Sequence, residues 1–296
     1  MYDIIIVGAG PAGLTSALYA GRANKKVLVL EAKAYGGQII NTLEIENYPG
    51  IPNISGFEYA TNLYNQVKAL GIEVIMEPVI RIEDDLKVIT TKNEYQAKSI
   101  ILATGAENRK LNLPKEQEFI GKGISYCATC DGAFYKKKIV AVNGGGNTAL
   151  EDALYLSNLV EKVYLIHRRD AFRGEEKYVE EIKKKDNIEI IYNSTITKLI
   201  GEEKLERIEV TTSNQTREIE VNGLFIAIGQ TPKNEIFKNI IDINEAGYII
   251  SNDGVHTSHN KIYVAGDTRV KDLRQLTTAV SDGAIAATVA IKEMED

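Results

Sequence analysis

The sequence predicts an α/β protein made of two Rossmann-like domains with a three-layer ββα architecture, the second domain inserted in the first. Three observations predict this fold. A strand, a glycine-rich turn, a helix and a second strand follow one another at residues 2–31, and the same order recurs at residues 138–167. The chain has 296 residues, a length that suits two domains. A late strand at residues 261–267 has no glycine fingerprint of its own, which indicates a return to the first domain.

The first unit carries the complete pattern of a dinucleotide-binding site. Residues 2–7 are a short, β-branched apolar run, which is typical of a strand buried on both faces. In the turn that follows, Gly8 should allow a tight bend, Gly10 should admit a pyrophosphate, and Gly13 should let the helix pack closely on the strand. Glu31 ends the second strand, where a carboxylate can accept a hydrogen bond from a ribose hydroxyl. The alternative is an ordinary glycine-rich turn in a βαβ unit.

Turn-forming residues and apolar spacing predict the remainder of the first domain. Gly36–Gln38 and Glu46–Gly50 combine turn formers with amide side chains, as loops over a ligand do, although each could be an ordinary loop. The spacing predicts a helix at 56–70 and strands at 72–76, 79–82, 87–91 and 98–105. Asn112 and Pro114 then interrupt the pattern and mark a first candidate linker.

The second unit repeats the strand, glycine turn, helix and strand of the first. It differs after the second strand, at the position that determines which type of nucleotide binds. A strand at 138–142 leads into the glycine turn Asn143–Ala149, and a helix at 150–159 and a strand at 162–166 follow. Where the first unit ends on Glu31, the second continues into His167–Arg173. A carboxylate repels a ribose 2′-phosphate, whereas guanidinium groups bind it. The first site should therefore hold a nucleotide with free ribose hydroxyls, such as FAD, and the second should hold NADP(H). The alternative for Arg168, Arg169 and Arg173 is a solvated, charged helix start.

The second domain continues through a helix and four strands, and the chain then returns to the first domain. The expected elements are the helix 175–185 and the strands 187–192, 195–200, 205–212 and 216–221. Thr231–Asn234 is the second candidate linker. After the strand at 261–267, small residues in an Ala-rich helix at 277–292 should allow close packing, and Asp267 should close over the flavin. The predicted limits are 1–112 with 237–296 for the FAD domain and 113–236 for the NADPH domain.

Cys127 and Cys130 are the only two cysteines, and their Cys-x-x-Cys spacing allows a small disulfide ring that opens and re-forms. A structural zinc site needs about four ligands. The three histidines, His167, His256 and His259, lie far from the pair in sequence. A structural disulfide across so short a ring would constrain the unfolded chain only weakly. A redox-active dithiol is therefore the favoured interpretation.

Composition excludes several classes of partner. The net charge is −6 and there is no basic tract, so nucleic acid is not an expected partner. No apolar run reaches the ~18 residues of a membrane span. The N-terminus leads directly into a strand rather than into a secretory signal, and a Cys-x-x-Cys without a signal indicates a reducing, cytoplasmic location.

The sequence resembles the low-molecular-weight, bacterial-type thioredoxin reductases of the pyridine nucleotide-disulfide oxidoreductases over essentially the whole chain. The stretch Cys127-Ala-Thr-Cys-Asp131 is the most specific motif. The other motifs are Gly8-x-Gly10-x-x-Gly13, Gly36-Gly-Gln38, Glu46-Asn-Tyr-Pro-Gly50, Ala103-Thr-Gly105, Gly144-x-Gly146-x-x-Ala149, His167-Arg-Arg-x-x-x-Arg173, Gly266-Asp267 and Arg274-Gln275. Two residues depart from the family pattern: Asn143 replaces an apolar residue that ends a strand, and Leu276 replaces a small residue near the flavin.

The resemblance implies an NADPH-dependent thioredoxin-disulfide reductase, a flavoprotein that passes electrons from NADPH through FAD and the Cys127–Cys130 disulfide to thioredoxin. In this family pattern Cys130 faces the flavin, Cys127 attacks thioredoxin, and Asp131 is the acid, although an Asp-Gly turn would also explain Asp131. No metal is expected. The resemblance also implies a homodimer. The implied FAD residues are Gly8, Gly10, Pro11, Ala12, Gly13, Glu31, Ala32, Gly37, Gln38, Asn47, Val79, Ala103, Thr104, Gly105, Gly266, Asp267, Arg274, Gln275 and Leu276. The implied NADPH residues are Gly144, Gly146, Asn147, Thr148, His167, Arg168, Arg169 and Arg173.

Two other functions stay open at this point. A ferredoxin-fed flavin thioredoxin reductase would lack the pyridine-nucleotide motifs, both of which are intact here. A flavin-bound regulatory protein without turnover would not need the complete Cys-Ala-Thr-Cys-Asp stretch. Since nicotinamide and disulfide must both reach one flavin, we expect the inner domain to rotate about residues 112–116 and 231–236.

Overall fold

The computed structural model describes residues 1–42, 44–213, 215–251 and 254–295. The chain divides into two compact units, one formed by Met1–Glu107 with Thr231–Asp296 and the other by Asn108–Gln230. The first candidate linker, Asn112–Pro114, therefore lies within the second unit, where Leu111 and Leu113 pack against a hydrophobic core.

The first part of the first unit alternates strands and helices. Its elements are β1 (Tyr2–Val7), α1 (Pro11–Arg22), β2 (Val27–Glu31), α2 (Gly56–Ala69), β3 (Glu73–Met76), β4 (Val79–Ile82), β5 (Lys87–Thr90) and β6 (Glu94–Leu102), with a 3₁₀ turn at Gly37–Asn41. A short strand, β7 (Ala106–Asn108), then leads into the second unit.

The second unit follows the same order. Its elements are α3 (Glu116–Phe119), β8 (Ile124–Ser125), α4 (Ala128–Asp131), β9 (Ile139–Gly144), α5 (Asn147–Ser157), β10 (Lys162–Ile166), α6 (Glu176–Lys183), β11 (Ile188–Ile191), β12 (Ser194–Ile200), β13 (Arg207–Thr212), β14 (Gln215–Glu220) and β15 (Gly223–Ala227), with a 3₁₀ turn at Gly132–Tyr135. The chain leaves through β16 (Gln230–Pro232), which pairs with β7. The first unit is then completed by β17 (Ile262–Val264), α7 (Leu276–Glu295) and 3₁₀ turns at Glu235–Phe237 and Gly266–Thr268.

Each unit has three layers. In the first, parallel strands run in the order β3-β2-β1-β6-β17, and β4 and β5 extend β6 as an antiparallel meander. Helices α1, α2 and α7 pack on one face of the parallel sheet, and the meander packs on the other. In the second, the parallel order is β11-β10-β9-β15-β8, with α5 and α6 on one face and the antiparallel β12-β13-β14 on the other. The predicted pair of three-layer ββα domains is confirmed.

The boundaries of several elements differ from their predictions, among them those of β6, β17 and α7. β6 begins at Glu94, four residues before the apolar run, because its first residues pair with β5. β17 ends at Val264, since Gly266 turns the chain with a φ of 80°. The α7 helix continues to Glu295. Among the described helices, none is long and apolar enough to cross a bilayer.

Candidate functional site

Cys127 and Cys130 form a disulfide across the first turn of α4, with their Cα atoms 5.3 Å apart. Both residues are half-buried, so the sulfurs are neither sealed in the core nor fully solvated. Cys127 Sγ accepts a hydrogen bond from the Cys130 N–H at 3.2 Å, an interaction that favours negative charge on this sulfur when the bond is open. Within the described residues, no group of three or more His, Cys, Asp or Glu side chains could hold a metal ion.

Asp131 follows the second cysteine directly and lies at the end of α4. Burial raises the pKa of the Asp131 carboxyl group, and a hydrogen bond with the Ser125 side chain offsets part of this effect. The Ser125 hydroxyl also accepts the Cys127 N–H at 3.0 Å. Asp131 therefore stays protonated at pH values where an exposed aspartate is ionised, and the same serine contacts both the acid and the first cysteine.

In the first unit, the turn between β1 and α1 has the shape expected of a phosphate-binding loop. A Cβ on Gly8 would collide with the Ala103 carbonyl group, and one on Gly13 would collide with the Gly8 carbonyl oxygen. Only at Gly10 is there space, since the nearest atom to an added Cβ is the Gly37 Cα, at 3.9 Å. No side chain caps α1, so its first N–H groups are available to a ligand.

Glu31 lies against this turn. Its carboxylate accepts hydrogen bonds from the N–H groups of Ala9 at 2.7 Å and Lys33 at 2.9 Å. A carboxylate has about four acceptor sites, so two remain for another donor. The Gly36 N–H donates to the Ala9 carbonyl at 2.7 Å, which brings the 36–38 loop to the same turn.

The segment after β17 contributes a buried carboxylate oxygen, that of Asp267. Asp267 Oδ1 is buried, and no described residue donates a hydrogen bond to it. Burial raises the pKa of Asp267, although Lys271 and Arg274 oppose this effect. The Arg274 guanidinium lies 4.2 Å from the centre of the Tyr248 ring and donates through Nε to the Asp267 carbonyl oxygen at 3.3 Å. Because a buried acceptor normally has a donor, Asp267 fits a ligand hydroxyl group.

Several other predicted residues of the first unit lie in loops that meet. Asn47 donates to the Gln275 side chain at 3.3 Å, which joins the 46–50 loop to the 274–276 segment. Gln38 donates to the Ala106 carbonyl at 3.3 Å. The other three lie at the edges of this region: Ala32 is exposed after β2, Val79 packs against the core at the start of β4, and Leu276 packs at the start of α7 against the core that includes Ala12 and Ala103.

Asn234 is a central residue that the sequence analysis assigned only to a linker. It is fully buried, and its Oδ1 accepts hydrogen bonds from the hydroxyls of Thr104 at 2.9 Å and Thr268 at 2.8 Å. Its amide nitrogen donates to the Gly247 carbonyl at 2.9 Å. Asn234 thus ties the end of β6 to the Gly266–Thr268 turn.

In the second unit, the β9–α5 turn also has one glycine with open space around it, as the β1–α1 turn has at Gly10. A Cβ on Gly144 would collide with the Ala227 carbonyl oxygen, whereas one on Gly146 would meet nothing within 4 Å. No side chain caps α5. Asn147, the first residue of α5, exchanges hydrogen bonds with Glu175 at 2.8 and 2.9 Å, and the adjoining Thr148 is exposed.

His167 lies beneath this turn rather than beside the open space. Its side chain packs where a Cβ on Gly145 would be, and only 4% of the residue is exposed. Its Nε2 is 3.1 Å from the Ala171 carbonyl oxygen, and burial lowers its pKa, so the ring is neutral at pH 7. The structure therefore gives His167 a supporting position, and its role as a nucleotide ligand stays a prediction.

The three arginines after β10 are all exposed. Among the described residues, no carboxylate lies within 4.0 Å in an ion pair with any of the three, which are Arg168, Arg169 and Arg173. Three exposed cations at the end of the second strand fit a ligand that carries a phosphate there.

The sequence matches the family described as pyridine nucleotide-disulphide oxidoreductase over residues 2–283. It is 44% identical over 292 residues to a thioredoxin reductase of Treponema pallidum, an alignment that covers 97% of this chain and 95% of that protein. A thioredoxin reductase of Peptoclostridium acidaminophilum is 41% identical over 307 residues, covering 100% of this chain and 98% of the relative. The crystal structure of thioredoxin reductase from Streptococcus pyogenes superposes with a TM-score of 0.95 at 40% identity and covers 100% of this chain and 98% of that one. These similarities extend over both units.

Proposed function

This chain belongs to the pyridine nucleotide-disulphide oxidoreductase family, and we propose that it is a thioredoxin-disulfide reductase that uses NADPH and FAD. It is an oxidoreductase of the thioredoxin-reductase type, and its relatives imply a flavin and a nicotinamide cofactor. The observation that carries the proposal is the Cys127–Cys130 disulfide, which lies in the same unit as the β9–α5 glycine turn.

The residues that would hold the two cofactors lie at the two glycine turns and at the charged side chains described above. FAD would be held by the β1–α1 turn, Glu31 and Asp267, since these offer free N–H groups and carboxylate acceptors. NADPH would be held by the β9–α5 turn and the three exposed arginines. When bound, the two cofactors would supply the two electrons that reduce the disulfide.

The chemistry that the chain itself performs is thiol–disulfide exchange. In the reduced dithiol, the Cys127 thiolate would attack one sulfur of the thioredoxin disulfide, forming a mixed disulfide and releasing the other sulfur as a thiolate. Asp131, whose pKa is raised by burial, would supply a proton to a departing thiolate. Cys130 would then attack the Cys127 sulfur, which releases reduced thioredoxin and restores the disulfide. The proposal also includes a homodimer and a cytoplasmic location.

A spectroscopic experiment with the full-length protein tests this function. The purified protein should bind FAD and turn yellow, and anaerobic NADPH should bleach it more readily than NADH. Cys127→Ser and Cys130→Ser variants should still bleach but should not reduce thioredoxin. Failure of either nucleotide to bleach the flavin would contradict the proposal and favour a ferredoxin-fed or non-catalytic protein.

A further inference from the structure

Three charged side chains form a buried cluster beside Asp267 in the first unit. The Asp282 carboxylate, on α7, accepts hydrogen bonds from Arg269 at 3.0 and 3.1 Å and from Lys271 at 2.7 Å. The Asp282 and Lys271 side chains are only 8% and 6% exposed. Although burial alone would raise the pKa of Asp282, the two cations hold it below its usual value. The cluster thus contains two cations and one carboxylate in a largely dry environment.

Asp282 is also bonded to the turn that carries Asp267. Its Oδ2 accepts the Gly266 N–H at 3.0 Å. An added Cβ on Gly266 would lie 2.8 Å from the Ala12 Cβ at the start of α1, so this turn is packed directly against the glycine fingerprint. The cluster therefore lies beside the residues that would hold FAD.

The cations near Asp267 are all engaged elsewhere. Lys271 donates to Asp282 and to the Thr278 hydroxyl, the latter at 3.0 Å. Arg274 donates to carbonyl oxygens at positions 267 and 269. As a result Asp267 Oδ1 has no donor among the described residues, even though two cations are near enough to oppose the rise of its pKa.

We infer that Asp282 is a positioning residue for the flavin site: by pairing with Arg269 and Lys271, it keeps the Asp267 carboxylate available for a hydroxyl group of the bound nucleotide. This inference rests on the proposed use of FAD. Without the Asp282 charge, Arg269 and Lys271 would lose their shared counter-ion. Lys271 is near enough to Asp267 to affect its pKa, and Asp267 Oδ1 has no donor among the described residues. A lysine paired with Asp267 would occupy the acceptor that the ligand needs.

The test is an FAD titration of the full-length apoprotein, followed by flavin fluorescence. Asp282→Asn keeps the shape and an acceptor for the Gly266 N–H, yet it should weaken FAD binding about 10- to 100-fold, the worth of one hydrogen bond to a charged group. Adding Lys271→Met removes the freed cation that acts on Asp267, and the double variant should recover to within about threefold of wild type. The control is Asp3→Asn, which removes a carboxylate that pairs with Lys98 at the opposite end of β1 and should leave FAD binding unchanged.

The double variant separates this inference from a purely structural role. If Asp282 only supported the fold, Lys271→Met would not restore binding to Asp282→Asn, and that result would overturn the inference. Unchanged FAD affinity in Asp282→Asn would also overturn it. If the single variant does not fold, the double variant decides alone: affinity near that of wild type supports the inference, and a loss of about tenfold or more contradicts it. A wild-type protein that binds no FAD would instead refute the proposed function.

Discussion

Asp131 is the residue for which the structure predicts a pH dependence. Because burial raises the pKa of its carboxyl group, the acid form persists to higher pH than in an exposed aspartate, and activity should fall as pH rises through this pKa. Asp131→Asn, which cannot transfer the proton, should slow thioredoxin reduction about 10²-fold or more and should flatten this decline. Steady-state rates measured across pH check both effects.

The matched control is Asp186→Asn, which removes an exposed carboxylate from the same unit. It should leave both the rate and the pH profile unchanged. An Asp131→Asn enzyme within about twofold of the wild-type rate would show that Asp131 is only a turn residue, the alternative that the sequence left open.

Residues that act through the local chain could be predicted from sequence, whereas residues that act through distant contacts could not. The fingerprint glycines and the cysteine pair form patterns that are recognisable within a few positions of the sequence. Asn234 contacts Thr104, 130 residues away, and nothing near Asn234 in sequence indicates that contact. The place of His167 before two arginines predicts a nucleotide ligand. The structure packs its ring beneath the turn, where Gly145 has no Cβ, and its role as a ligand stays a prediction.

At the scale of elements, the most sensitive contact is that of α7 with α1. Gly283 packs against the Ala12 carbonyl group, and the Ser16 hydroxyl donates to the carbonyl oxygens of both residues at 3.0 Å. The small residues predicted for α7 do face this contact, since Ala286, Ala287 and Ala290 are also buried. The composition of the helix therefore predicted close packing, but not which residue is closest.

Gly283→Ala should destabilise the protein by about 1–3 kcal/mol, the usual cost of overpacking, even though Gly→Ala inside a helix normally stabilises by about 1 kcal/mol. The free energy of unfolding in urea, followed by circular dichroism, measures the change. The control is Ser281→Ala on the exposed face of the same helix, which should stay within about 0.5 kcal/mol of wild type. Unchanged stability of Gly283→Ala would mean that the two helices separate at no cost.

Element boundaries were the least predictable part of the fold, for a physical reason. Apolar runs mark the buried part of a strand, so they miss residues that are held only by pairing, such as the start of β6. They also include residues that continue the run but turn, such as Gly266 after β17. The order and type of the long elements depend on periodicity and were predictable.

At the scale of the whole molecule, the second unit is inserted through two closely spaced ends. The Arg109 N–H donates to the Gly229 carbonyl at 3.0 Å, and Gln230 donates to the Asn108 side chain at 2.9 Å. In the first unit, close to where the chain leaves it and returns to it, Glu107 and Lys233 form an ion pair at 2.8 Å. Each unit has its own helices, parallel sheet and meander, and therefore its own core.

Residues 108–230 expressed alone should fold cooperatively and bind NADPH, and residues 1–107 joined by a short linker to residues 231–296 should fold and bind FAD. In each unit the two chain ends are already held together, by hydrogen bonds in one and by an ion pair in the other. Thermal melts and nucleotide titrations measure both outcomes. A control that ends at residue 200 lacks β13–β15 and should not fold. Absence of a cooperative transition in residues 108–230 would contradict independence of the units.

If both units fold alone, a mixture of them tests what the covalent connection supplies. Two short connections hold each unit at an effective concentration of about millimolar relative to the other. At about micromolar concentrations of the separate units, NADPH-driven thioredoxin reduction should be lower by roughly that ratio, about 10³-fold, and should rise in proportion to the concentration of either unit. A mixture as active as the intact chain would mean that the units bind each other tightly, and a stable complex of that kind would argue against the expected rotation of the inner domain about its linkers.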